Sequence, residues 1–154
     1  MAETTLTIEQ AIGVAIKEEV KAYNLYMKTS EKVAAAGTKM MLQELAQQEK
    51  GHKNLLESVL KGGDFKVLGK KVPQQSPGIA SFLKISELGE HATPQEVMIF
   101  AMGEEEKACN FYLSLKDHFA GTDMADLFDR LAAEEKGHKI RLEDEYEKHF
   151  MREN

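Results

Sequence analysis

An apolar seam that repeatedly admits a carboxylate is the feature that most limits how this chain can fold. Ile8, Ile12, Ala15, Glu19, Ala22 and Tyr26 follow one another at steps of three and four, and so do Leu42, Leu45, Glu49, His52, Leu56 and Val59. Such steps keep every member on one helix face. Each run is therefore an amphipathic helix whose core-facing side carries Glu19, or the pair Glu49 and His52. The pattern returns as Met98, Ala101, Glu105, Ala108, Tyr112 and Leu115, then as Phe128, Leu131, Glu135, His138 and Leu142. Glu105, Glu135 and His138 each lie 86 residues after Glu19, Glu49 and His52, with no gap. At that offset Glu18-Glu19-x-Lys21-Ala22-x-Asn24-x-Tyr26 matches Glu104-Glu105-x-Lys107-Ala108-x-Asn110-x-Tyr112. Leu45-Ala46-x-x-Glu49-Lys50-Gly51-His52-Lys53 likewise matches Leu131-Ala132-x-x-Glu135-Lys136-Gly137-His138-Lys139. An internal duplication of this kind builds a bundle with a pseudo-twofold axis.

Four carboxylates facing one core need compensation. An ionised carboxylate buried without a partner costs several kcal/mol, or its pKa shifts until it is neutral. Two divalent cations would supply the missing charge, since four carboxylates and two M²⁺ ions sum to zero with both histidines neutral. One Glu-x-x-His alone is weak evidence; two copies, each preceded by a seam glutamate on a partner helix, form the pattern of a carboxylate-bridged dinuclear site in a helical bundle.

The remaining sequence fits an all-α chain. Long helices are expected at about residues 7–35, 38–61, 94–119 and 122–149. Thr93-Pro94-Gln95-Glu96 reads as an N-cap, a first-turn proline and a capping-box glutamate, while Gly37-Thr38 and Gly121-Thr122 read as a C-cap followed by an N-cap. These short junctions make the first and second helices, and the third and fourth, antiparallel neighbours. Residues 62–93, with Pro73 and Pro77, form a long connection able to cross the bundle, in which Ile79 to Leu88 is expected to form a short helix. The expectation is one domain spanning 1–154, a ferritin-like four-helix bundle of two hairpins joined by a crossover.

Composition narrows the function classes. The single cysteine, Cys109, rules out an intrachain disulfide or a four-cysteine metal site within these residues and fits a reducing compartment. No apolar run approaches the roughly 20 residues of a membrane span, and no basic start precedes an apolar stretch, so a soluble cytoplasmic protein is expected. A net charge of −6 with dispersed lysines argues against nucleic acid as a partner.

Glu49 and Glu135 are read as bridging ligands, Glu19 and Glu105 as terminal ligands, and His52 and His138 as one nitrogen ligand per metal. Mixed carboxylate and imidazole donors favour iron, with manganese as the alternative, over a structural zinc. Tyr26 and Tyr112, two turns along the seam from Glu19 and Glu105, are placed either to donate a hydrogen bond to a ligating carboxylate or to pack in the core. Glu18, Glu104, Glu106 and Glu134 sit about 100° off the seam and are read as solvent-facing, with Glu104 the alternative to Glu105. His91, His118 and His149 have no repeat partner and read as surface residues, and Cys109 as a small buried one.

The segments Gln-Gln-Glu-Lys-Gly-His and Glu-Glu-Lys-Gly-His-Lys resemble the diiron domain of rubrerythrins, in the ferritin-like superfamily, and the resemblance covers nearly the whole chain. It implies a four-helix bundle, usually a homodimer, whose diiron centre reduces hydrogen peroxide to water or oxidises Fe(II). Rubrerythrins proper add a rubredoxin domain that passes electrons to the centre, and these residues hold no such domain. The family's extra glutamate one turn beyond the terminal ligand in the third helix is replaced by Lys107 or Ala108. The six residues that remain resemble the ferroxidase centre of bacterioferritin.

The leading expectation is thus an oxidoreductase with two iron ions per chain that reduces hydrogen peroxide, or reacts with O2, using an external donor such as a rubredoxin-like protein or a flavoprotein. Ferroxidase or iron storage is the alternative. A module with a purely structural metal is the third.

Overall fold

The computed structural model describes residues 5–62, 71–73, 76–84 and 87–151. A short strand β1 (Thr5–Thr7) leads into helix α1 (Ile8–Ser30), which is followed by helix α2 (Ala36–Gly62), strand β2 (Lys71–Pro73), the short helix α3 (Pro77–Leu83), and helices α4 (Pro94–His118) and α5 (Asp123–Tyr146). A π-helical turn, Glu147–Met151, closes the described chain. The middle of the crossover, 63–70, and residues 74–75 and 85–86 lie outside the described residues, so the part of the expected 79–88 helix at 85–86 is not assessed.

Local chemistry explains most of the helix boundaries. Thr7 starts α1 with a reciprocal capping box, its hydroxyl accepting from the Gln10 amide while the Gln10 side chain accepts from the Thr7 amide. Thr93 and Glu96 do the same for α4, with Pro94 in the first turn, as the sequence led us to expect. At the other junction the expectation fails. Helix α1 ends at Ser30 rather than at 35, and α2 begins at Ala36, so Gly37 and Thr38 lie inside its first turn instead of capping it. Residues 31–35 are instead used to reverse the chain, and Thr38 is buried with its hydroxyl donating to Glu145 of α5 at 2.8 Å. Gly121, by contrast, has φ +85, the left-handed conformation that glycine adopts at no steric cost. Thr122 occupies the N-cap position of α5, but its hydroxyl donates back to the Phe119 carbonyl rather than accepting from the helix.

Helix α1 lies along α2 and α4 along α5, giving the two expected hairpins. Two elements of the crossover tie it to the bundle. β1 and β2 pair antiparallel, with Leu6 opposite Val72, which pins the crossover to the start of α1 and buries Val72. Helix α3 packs on α4 so closely that a Cβ at Gly78 would overlap the Asn110 carbonyl and the Ser114 hydroxyl. The strand pair was not expected, and α3 begins two residues earlier than Ile79, with residues 87–93 non-helical.

The apolar interior falls into two clusters. One holds Ile12, Leu56, Phe128, Leu131 and Tyr112, and the other holds Met98, Leu142, Leu42, Leu45 and Tyr26. Each residue of the first set is the 86-residue counterpart of a residue in the second, so the pseudo-twofold axis exchanges the two clusters. The first cluster is enlarged by crossover residues Val72, Ile79 and Phe82, the last stacked on Phe111 at 4.2 Å between ring centroids. Between the clusters lies a polar layer, and it contains the glutamates and histidines of the seams.

Candidate metal centre

Glu19 comes from α1, Glu49 and His52 from α2, Glu105 from α4, and Glu135 and His138 from α5, and all six are at most 4 % exposed. They face one another as the seam periodicity requires. His52 Nδ1 lies 2.9 Å from Glu135 Oε1 and 3.5 Å from both Glu19 Oε1 and Glu49 Oε1. His138 Nδ1 mirrors this, 3.0 Å from Glu49 Oε1, 3.5 Å from Glu105 Oε2 and 3.6 Å from Glu135 Oε1. The two imidazole rings stack nearly parallel, 12° apart, with centroids 5.7 Å apart.

One atom of each of these six side chains is buried without a hydrogen-bond partner: Glu19 Oε2, Glu49 Oε1, His52 Nδ1, Glu105 Oε2, Glu135 Oε1 and His138 Nδ1. Buried polar atoms are nearly always satisfied, so six orphans converging on one space are a strong departure from the rule. Glu19, Glu49, His52 and Glu135 each offer a ligand atom within 4.8 Å of the others, and so do Glu49, Glu105, Glu135 and His138. Glu49 and Glu135 belong to both sets. The donor set, carboxylate-rich with one imidazole per group, fits a pair of iron or manganese ions.

The rest of each side chain is held from outside the layer. The Tyr26 hydroxyl of α1 donates to Glu105 Oε1 at 2.5 Å, and the Tyr112 hydroxyl of α4 donates to Glu19 Oε1 at 2.8 Å. Each tyrosine thus meets the carboxylate of the opposite hairpin through its hydroxyl while its ring packs in the core. Burial, followed by the charge of the bonded glutamate, pushes both phenols well above their ordinary range, so they remain donors. His52 Nε2 meets Glu134 Oε1 at 2.9 Å, and His138 Nε2 meets Gln48 Oε1. With a cation at Nδ1, each imidazole would carry its one proton at Nε2 and donate it to this acceptor.

Glu134 is a correction to the sequence reading. Its side chain is 37 % exposed, yet it is fixed between His52 and Arg130, whose Nε donates to Glu134 Oε2 at 2.8 Å. Burial alone would raise its pKa, but the contacts with His52 and Arg130 outweigh this and hold it below the ordinary carboxylate range. Residues 48 and 134 stand at the 86-residue offset directly before Glu49 and Glu135, which is the signal that could have exposed them. Glu104 pairs with Lys107 at 3.4 Å and Glu18 with Lys21 at 3.5 Å, so the structure brings Glu105 and not Glu104 into the layer. Cys109 is half-buried at the edge of the first apolar cluster and burial raises its thiol pKa. His118 meets Ser76, His149 meets Glu145, and His91 is exposed, all away from the layer.

A cavity of about 420 Å³ opens between α1 and α4 and reaches the layer at Glu19, Glu49, Glu105 and Glu135. Its walls combine apolar side chains, including Leu25, Phe82, Leu88 and Phe100, with the charged Glu18, Lys21, Glu87 and Glu104.

Two antiparallel hairpins with a layer of four glutamates and two histidines across their middle define a ferritin-like bundle. The chain belongs to the rubrerythrin family, whose model matches residues 1–75 and 96–154. Among solved structures, it is similar to a Thermotoga maritima protein assigned provisionally to the ferritin-like diiron-carboxylate proteins. The two share 20 % identity at a TM-score of 0.75, over 96 % of this chain and 99 % of that one. A hypothetical protein from Pyrococcus furiosus shares 29 % identity at a TM-score of 0.69, over 92 % of this chain and 89 % of that one. No curated protein matches the chain. Among the described residues no helix is long and apolar enough to cross a membrane.

Proposed function

We propose that the chain is a diiron oxidoreductase that reduces hydrogen peroxide to water with electrons from an external donor. The observation that carries this reading is the convergence of six buried, unpartnered ligand atoms. Glu49 and Glu135, shared by both groups of potential donors, would serve both ions, with Glu19 and His52 completing the set for one and Glu105 and His138 for the other. An iron pair bound there would supply two electrons, which with two protons from solvent would convert H2O2 to two waters, and the external donor would return those electrons.

The chain's own residues provide the setting for that chemistry. Tyr26 and Tyr112 hold the carboxylates of Glu105 and Glu19 in place, and the Nε2 contacts would orient both imidazoles toward a cation at Nδ1. The cavity between α1 and α4 favours a reactive centre over a structural one, because a structural site is closed by its ligands whereas this layer can be reached by a small oxidant. A flavoprotein or rubredoxin-like donor, a homodimeric assembly and a cytoplasmic setting complete the proposal.

One observation supports iron oxidation as a second reading. Glu18, Glu87 and Glu104 line the cavity and offer carboxylates to an incoming cation, although Lys21 and Lys107 partly offset them. The test is anaerobic loading with two Fe(II) per chain followed by stopped-flow mixing with H2O2 or O2. Oxidation much faster with peroxide, ending at two irons per chain, is the expected result. Faster reaction with O2 that continues past two irons per chain would establish the second reading instead.

A further inference from the structure

The six inward residues repeat without change at the 86-residue offset, but the acceptors behind the two histidines do not. His52 Nε2 has a carboxylate, Glu134 Oε1 at 2.9 Å, and His138 Nε2 has an amide, Gln48 Oε1. The surroundings differ in the same place. Arg130, which bonds Glu134, corresponds to Glu44 in the first half, and Glu44 is taken up by Arg141 at 2.8 Å, with no contact to His138 among those described.

A carboxylate acceptor draws the Nε2 proton more strongly than an amide oxygen does, because a charge-assisted hydrogen bond is roughly twice as strong as a neutral one. Electron density is pushed through the ring onto Nδ1, making it the better donor to a cation. Glu134 also sets a carboxylate against His52, whereas the amide of Gln48 against His138 is neutral. Arg130 offsets part of that charge, but its side chain is 68 % exposed and its field is screened by water, while the Glu134 oxygen contacts the imidazole directly.

We infer that the two metal positions are unequal: the position beside His52 fills first with a divalent transition-metal ion, the one beside His138 fills second, and the difference between Glu134 and Gln48 sets the order. Outer partners of metal-bound histidines commonly change affinity by about 10- to 100-fold, so a gap of about tenfold is expected. The inference rests on the dimetal reading above. It makes Glu134 and Gln48 positioning residues that act through the imidazoles. It also identifies the ion beside His138 as the one that exchanges or is lost when metal is scarce.

The test is crystallographic and independent of turnover. Metal-stripped protein is given one equivalent of Co(II) without oxygen, and anomalous scattering locates the ion. In the native chain the signal is expected beside His52, in Glu134→Gln it should divide between the two positions, and in Glu134→Gln combined with Gln48→Glu it should move to His138. Titration of the same proteins should show the tighter dissociation constant weakened about tenfold in Glu134→Gln. An even division in the native chain, or an order untouched by both variants, would overturn the inference while leaving two bound ions and the dimetal reading intact. Failure of the native chain to bind any Co(II) or Fe(II) would remove both.

Discussion

The two halves of this chain are nearly identical where they face each other and different where they face outward. Glu19, Tyr26, Glu49 and His52 have counterparts of the same type in Glu105, Tyr112, Glu135 and His138, and their contacts are mirrored to within a few tenths of an ångström. Away from the layer the halves diverge. One apolar cluster carries the crossover on its back while its counterpart does not, one junction needs a left-handed glycine while the other does not, and one histidine leans on a carboxylate while its twin leans on an amide. The difference teaches that only the layer needs twofold symmetry. A centre of two ions demands paired ligands, whereas packing and turns can be solved separately at each end.

The largest effect should come from breaking the layer symmetrically. Glu49→Gln and Glu135→Gln each remove a carboxylate shared by both donor groups, so each variant should bind fewer than two Fe(II) per chain and the double variant none, as read by metal analysis after anaerobic loading. Equal losses from the two single variants would sharpen the symmetry. If neither changed the stoichiometry, and the metal-free fold became no less stable, the seam glutamates would be neutral core residues instead.

The protonation of the metal-stripped protein gives the next effect. Burial alone would lower both histidines, but Glu19 and Glu49 raise His52 from 6.5 to about 9, and Glu105 and Glu49 raise His138 from 6.5 to about 10. Burial and then the charges of Glu105 and Glu19 raise Glu49 from 4.5 to about 8 against the pull of His138, and burial followed by the charges of Glu49 and Glu105 raises Glu135 strongly. All of these folded-state values lie above the unfolded ones, so the folded chain holds protons that the unfolded chain releases, and stability falls as pH rises. The contribution of Glu49 is complete below 4.5 and that of the histidines below 6.5, and these are lost as pH passes about 8, 9 and 10. The melting temperature of stripped protein should therefore drop between about pH 6 and pH 9, whereas metal-loaded protein, in which cations replace those protons, should show little drop. A stripped protein that melts at the same temperature across this range would contradict the convergence of the six side chains.

The tyrosines probe the same symmetry more gently. Tyr26→Phe strips Glu105 Oε1 of its donor and Tyr112→Phe strips Glu19 Oε1, so each should cost about 1–3 kcal/mol in chemical denaturation of the stripped protein and weaken metal binding about tenfold. Similar losses are expected from the two. A loss confined to one variant would show that the hydrogen bonds are not equivalent.

The inward half of this design could be read from the sequence because periodicity reports which face of a helix is buried. Glu19, Glu49, His52, Glu105, Glu135 and His138 all lie on seam positions, and all six are buried together. What escaped the reading depends on distance across the fold. Glu134 and Gln48 leave their own helices off the seam, and only the neighbouring hairpin, about 80 to 90 residues away in sequence, supplies the histidine that engages them. The β1–β2 pair is likewise set by a partner in the crossover, since neither three-residue strand carries a pattern long enough to register alone. Thr93 and Pro94 were legible because a capping box is complete within four residues.

The smallest effect concerns the junctions, where the two halves use the same Gly-Thr pair differently. Gly121 sits at φ +85 in the turn between α4 and α5, and an alanine there would meet no neighbour yet would be forced into a left-handed backbone, at a cost of about 1–2 kcal/mol. Gly37 lies inside the first turn of α2 without a positive φ and with nothing near its would-be Cβ, so alanine should raise stability by about 0.5 kcal/mol by reducing the freedom of the unfolded chain. Opposite signs from one substitution at two positions 84 residues apart, read as shifts in the denaturation midpoint, are the expected outcome. If both alanines destabilised by the same amount, Gly37 would be doing at the first junction what Gly121 does at the second, and the helix start at Ala36 would be wrong.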